Sequence, residues 1–187
     1  QNPQQMMRAG PQASSSDLPL LLSAYGIEYS PSRVVGDLQF ARRVAPDPGN
    51  PPVQYPPLMD IRTFNRDLPA TTALEELTFM EPGSFQVRED SGLEFTPVIT
   101  TSANSGTLES SSLNFMPLDS VGDQLELDDQ IHTIAGLVRG QFTTAFPDGR
   151  PPAPEGEEDN EGSSTPRQEE PALTESSDSS AMLFIAD

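Results

Sequence analysis

At 187 residues the chain is long enough for one domain with a tail, and a 34% hydrophobic fraction with 20 prolines and 13 glycines leaves part of it outside any packed core. Its formal charge of -19, from 29 acids against 10 bases, excludes phosphate-backbone binding to nucleic acid and makes an anionic membrane face an equally poor partner. Every base is arginine, and cysteine is absent, which removes disulfides, thiolate nucleophiles and cysteine metal sites together.

No apolar run approaches the roughly 20 residues needed to cross a bilayer. The longest are LPLLL and AMLFIA, and the opening QNPQQMMRAG lacks the apolar block of a signal peptide. The chain therefore reads as soluble, or as a piece of something anchored elsewhere.

Residues 1–16 are expected to be a flexible segment, followed by an α/β domain over 17–146. In SSSDLPLLLSAYGIEY, Ser16 or Asp17 can cap a short helix, Pro19 suits its first turn, and Leu18, Leu21, Leu22 and Tyr25 share one face. Gly26 supplies the stop, and IEY and RVVGD follow as extended runs. The proline-dense span APDPGNPPVQYPPL then reads as an extended surface loop.

RDLPATTALEELTFMEPG predicts a second short helix with Leu74 and Leu77 inward and Glu75 and Glu76 outward. LTFM and SFQV look extended on either side of a Pro-Gly turn, and LEFTPVITTS is a strand whose Pro97 suggests an edge or a bulge. The serine-rich, then acidic segment 104–130 reads as loop with one turn of helix at most.

IHTIAGLVRGQF alternates with a period of two: Ile134, Gly136, Val138, Gly140 and Phe142 share one face, as a strand requires. From Pro147 to Ser180, ten acids face two arginines, and Ala153, Ala172 and Leu173 are the only apolar side chains beyond proline. Such a tract cannot bury enough surface to offset its ordering entropy, so 147–180 is expected to be an acidic, disordered linker. AMLFIAD, over 181–187, reads as a final buried and parallel strand of the same domain.

Catalytic chemistry finds little support. No G-x-S-x-G elbow occurs, and His132, the one histidine, sits inside an alternating run where a structural role is the common outcome. DSVGDQLELDD lacks EF-hand spacing, EGEEDNEG is only acidic, and no phosphate-binding glycine motif is present, so neither a metal nor another cofactor is expected. The weak candidates for a ligand or partner surface are Asp37 and Asp187, which end the apolar runs VVGD and LFIAD. In α/β sheets ligands gather at the carboxyl ends of strands. An aspartate there also commonly caps the next turn.

Taken in order, LPLLLSAYGIEYSPSRVVGDLQFARRV, YPPLMDIRTFNRDLPATTALEELTF, FTPVITTSANSG, IAGLVRGQFTTAFPDGRPP and SSDSSAMLFIAD resemble the GldG-type auxiliary proteins of ABC-2 transport systems, over about 18–187. Val34, Val35 and Asp37 match that family's strand end, Thr100, Thr101 and Ser102 its hydroxyl-bearing turn, and Gly140, Thr144, Ala145, Phe146 and Pro147 its strand-to-turn segment. Asp187 matches the aspartate of its last strand.

The resemblance implies a partial Rossmann-like sheet similar to class I glutamine amidotransferases without their catalytic cysteine. It further implies a non-catalytic, periplasmic auxiliary of an ABC permease and ATPase, serving export or gliding motility, with the membrane reached through segments outside this chain. Two rival readings stand beside it. One is an extracytoplasmic polymer- or sugar-binding domain using exposed aromatics such as Tyr55 and Phe64, and the other an amidohydrolase-like enzyme using serine or aspartate.

Overall fold

The computed structural model describes residues 18–46, 48–147, 174–177 and 180–186. In chain order the strands are β1 (Ile27–Tyr29), β2 (Arg33–Asp37), β3 (Ala41–Val44), β4 (Val53–Ile61), β5 (Leu77–Met80), β6 (Phe85–Val87), β7 (Glu94–Thr100), β8 (Ser105–Glu109), β9 (Glu126–Leu127), β10 (Thr133–Gly140) and β11 (Ser180–Ile185). The helices are short: α1 (Pro19–Ala24), α2 (Ser110–Leu113) and α3 (Val121–Gln124). The result is a mixed α/β structure carried by small sheets, with strand orders β1-β6, β3-β4-β5, β2-β8-β9 and β11-β10-β7.

Every strand pairing among the described residues is antiparallel. The expected parallel strand at the end of the chain is therefore corrected: β11 runs antiparallel to β10, with Ala135 opposite Ile185 and Gly140 opposite Ser180. It is also an edge strand packed on one face, and Leu183 and Ile185 remain 57% and 54% exposed. A continuous apolar run does not distinguish one buried face from two. Just upstream, the Ser176 N–H donates to the Phe142 carbonyl and the Phe142 N–H to Ser176 Oγ, both at 2.8 Å, so 174–177 lies against the continuation of β10.

Near the start, α1 and β1 form where the sequence places them, with Pro19 at the helix entrance and Gly26 in the left-handed region (φ 66°) at its exit. Leu18 occupies the N-cap position without a side-chain cap, while Ser16 and Asp17 lie outside the described residues. Leu22 and Tyr25 pack inward, whereas Leu18 stays 56% exposed.

The proline-dense span is not a surface loop. Its second half is β4, the central strand of its sheet, with Tyr55, Pro56, Pro57, Met59 and Ile61 buried. Proline is compatible with this position because the register against β3 breaks there: Tyr55 lies opposite Arg42, and Met59 opposite Ala41. Pro56 and Pro57 fall in the gap, where β3 asks for no N–H from them. β3 pairs with β4 at Val53–Tyr55 and again at Met59, and β5 pairs with it over Leu58–Ile61.

Two further expectations change. RDLPATTALEEL forms only a 3-10 turn at Pro69–Thr71, and Leu77 already belongs to β5, although Leu74 and Leu77 do face the core and Glu75 and Glu76 solvent. The serine-rich 104–130 segment contains β8, central between β2 and β9. Gly106 is needed in it because a β-carbon there would overlap the Glu126 carbonyl of β9. Small residues that read as loop are here the condition for close strand approach.

LTFM and SFQV are strands on either side of Pro82-Gly83, but they belong to different sheets. The turn between them joins several elements: the Val35 N–H donates to the Pro82 carbonyl (2.7 Å), the Glu81 N–H to Pro57 (2.7 Å), and the Gly83 N–H to Ala186 (2.9 Å). Pro97 lies on β7, at once an edge strand and irregular in register against β10. Side chains from these elements fill three apolar clusters, centred on Met59, Ile61 and Ile134, on Phe85, Val138 and Phe142, and on Tyr55, Leu108 and Val121.

Candidate functional site

Asp37 ends β2 and is wholly buried. Its Oδ1 accepts the backbone N–H groups of Gln39 (2.8 Å) and Phe40 (3.2 Å), which turns the chain from β2 toward β3. The same carboxylate reaches the turn after β7, where Ser102 donates its N–H to Oδ2 at 2.6 Å and its hydroxyl to Oδ1 at 2.9 Å. Four donors satisfy both oxygens, so this carboxylate holds two turns together and presents no face to solvent. Ser102 Oγ in turn accepts the Asn104 N–H, and the Leu38 N–H donates to the Asn104 carbonyl.

A second polar chain continues from there. The His132 N–H donates to Thr101 Oγ1 (2.8 Å), and Thr101 and Ser105 hydroxyls lie 2.8 Å apart. With Ser105 Oγ 2.7 Å from the Ser102 carbonyl and 2.9 Å from that of Gln130, its proton goes to a carbonyl and the Thr101 proton goes to Ser105. The His132 ring is 9% exposed and its Nε2 lies 3.0 Å from Asp128 Oδ2. The Thr101 and Ser105 hydroxyls thus tie the turn after β7 to the start of β10, while the His132 ring pairs with Asp128.

The residues matched to the family motif thus divide. Asp37 meets Ser102 directly, Thr101 is joined to the same turn through Ser105, and Val34 and Val35 are buried upstream on β2. Thr144 and Phe146 lie after β10, where Thr144 Oγ1 accepts the Phe146 N–H at 3.2 Å. Asp187 falls outside the described residues. Tyr55 and Phe64, expected as exposed aromatics, are instead 8% and 7% exposed. The Tyr55 hydroxyl donates to Glu81 Oε1 at 2.7 Å, and burial, reinforced by that carboxylate, pushes its ionisation well above the usual tyrosine range. Their hydrophobicity was legible, but Tyr55 is buried within strand β4, and Phe64 is held against Ile99 of β7 by an isolated bridge.

An open concavity with concentrated charge lies just beyond the Asp37 turn. Gln39, Phe40, Arg42, Arg43, Asp60 and Arg62 line a cleft of about 280 Å³. Arg42 and Arg43 are consecutive on β3, just after the register break between Ala41 and Arg42, and both border this cleft. Arg42 Nε is 3.3 Å from Asp60 Oδ2, and Arg62 Nε donates to Glu76 Oε2 at 2.7 Å. Asp60 Oδ1 accepts the Thr78 hydroxyl at 2.6 Å. Arg43 has no side-chain partner recorded among the described residues. The signal available in one dimension was the Arg42-Arg43 doublet in a lysine-free chain, but nothing local brings Arg62 to it.

Among the described residues no group of three or more histidine, cysteine, aspartate or glutamate side chains is placed to hold a metal, and no helix is long and apolar enough to cross a membrane. The family model described as an ABC-type uncharacterized transport system matches residues 1–187, and the chain belongs to that family, the auxiliary components of ABC-type transport systems. Neither the curated proteins nor the solved structures contain a match.

Proposed function

We propose that this chain is a non-catalytic assembly module of an ABC-2 type exporter, of the GldG type, acting on the extracytoplasmic face of the inner membrane in export or gliding motility. Its partners in this reading are the permease and ATPase subunits, met through loop surfaces. The observation that carries it is the family match along the whole chain, 1–187. The ordered motifs around Val34–Asp37, Thr100–Ser102 and Thr144–Pro147 support the narrower GldG-type assignment. The Asp37 and His132 clusters are bonded internally, which supports a structural rather than catalytic use. A partial Rossmann-like, glutamine amidotransferase-like sheet belongs to the same reading and rests on the sequence resemblance alone.

The test is affinity purification of the protein carrying this chain from detergent-solubilised membranes, followed by mass spectrometry of what accompanies it. Co-recovery of a permease and an ATPase, lost on deletion of 18–186, is the expected result. Recovery of a polymer in place of transporter subunits would reject it. Protease accessibility in spheroplasts tests the extracytoplasmic placement separately.

A further inference from the structure

We propose that the cleft bordered by Arg42, Arg43 and Arg62 is a binding site for a small molecule carrying one carboxylate. This goes beyond the transport reading and stands without it. Three arginines line the cleft against two carboxylates, Asp60 in the lining and Glu76 on Arg62, which leaves one net positive charge. One such charge matches a monoanion better than a phosphate dianion. Arg43 supplies the uncommitted fork, and a guanidinium presents paired N–H donors at the spacing of carboxylate oxygens.

The rim is set by the fold rather than by flexible side chains alone. Gln39 and Phe40 are held by their N–H bonds to the buried Asp37, and the Asp60 N–H donates to the Phe40 carbonyl at 2.9 Å. The volume, about 280 Å³, is just under the roughly 300–1,000 Å³ of drug-sized ligand sites. A small occupant also suits the whole-chain charge of -19, which repels an acidic peptide far more than a single carboxylate. Hydroxyl groups on the ligand would find an acceptor in Asp60, whose side chain is 24% exposed.

With 10 arginines and no lysine, the arginine Nε–H resonances of the full chain form a short, assignable set. Sodium glucuronate is titrated into the ¹⁵N-labelled chain at constant ionic strength, with sodium phosphate and an oligoglutamate peptide in parallel. The expected result is saturable shifts at Arg42, Arg43 and Arg62, none at Arg139, and at least tenfold weaker binding in Arg43→Gln with an unchanged backbone spectrum. Arg62→Gln should weaken it similarly, whereas Arg139→Gln should not. Uniform, unsaturated shifts at all arginines would overturn the site as mere ion screening. Saturation by phosphate or oligoglutamate at lower concentration than by glucuronate would overturn the assignment to a small monocarboxylate.

Discussion

The Asp37 carboxylate takes both the N–H and the hydroxyl of Ser102, a residue 65 positions away, at 2.6 and 2.9 Å. One side chain thereby couples the end of β2 to the turn between β7 and β8, while its remaining bonds shape the approach to β3. Its removal leaves four donors without their acceptor in a partly buried site.

Asp37→Ala is therefore expected to destabilise the fold by about 2–4 kcal/mol, since hydrogen bonds to a charged group contribute about 1.5–3 kcal/mol and stranded donors add to the loss. Asp37→Asn should recover part of this through its one acceptor oxygen. Urea unfolding followed by circular dichroism reads both. An unchanged midpoint for the alanine variant would show that the clamp contributes nothing.

Val138 is completely buried in the cluster with Phe85 and Phe142. Val138→Asp should leave the chain unfolded, because an unpaired buried charge costs several kcal/mol. Val138→Ala should fold and lose about 1–3 kcal/mol as a cavity-forming change. Near-ultraviolet circular dichroism and thermal melts distinguish the two outcomes.

Gly106 lies beneath the β9 backbone, where a side chain would meet the Glu126 carbonyl. Gly106→Ala must push β9 from β8 and should cost about 1–3 kcal/mol, within the range for overpacking. Amide exchange should show the loss of protection concentrated at Thr107 and Glu126, which pair across that ladder. Uniform protection would show that β9 is free to move aside.

Tyr55 provides a pH dependence whose sign follows from its environment. Burial and the bond to Glu81 favour the neutral phenol, so its ionisation in the folded chain lies above the unfolded value of about 10. The stabilisation is complete below that value and is lost as pH rises beyond it. Urea midpoints should therefore fall above about pH 10, and Tyr55→Phe should flatten the fall. An equal decline in the variant would assign the alkaline loss to other groups.

Several elements could be read locally with good reason. β10 declares itself through alternation about Val138, β2 through its paired valines, and the turn at Pro82-Gly83 through residues that cannot continue a strand ladder. Other elements could not. Pro56 and Pro57 argue against a central strand, and become compatible with one only because the partner strand skips them. Ser105 and Gly106 look like loop residues until β9 is laid against them. In RDLPATTALEEL the inward face was legible from Leu74 and Leu77, while the helix was not formed.

The sequence by itself determined the chemistry on hand: an acidic chain, arginine as its one cation, no thiol, and short alternating runs suited to half-buried strands. These properties reside in single residues or in neighbours a few positions apart. Only the tertiary structure decided that β11 pairs antiparallel with β10, that Asp37 meets Ser102, and that Arg42, Arg43 and Arg62 border one cleft. Those outcomes depend on register and on hydrogen-bond partners far apart in the chain, and local periodicity carries no information about which distant partner satisfies a given group.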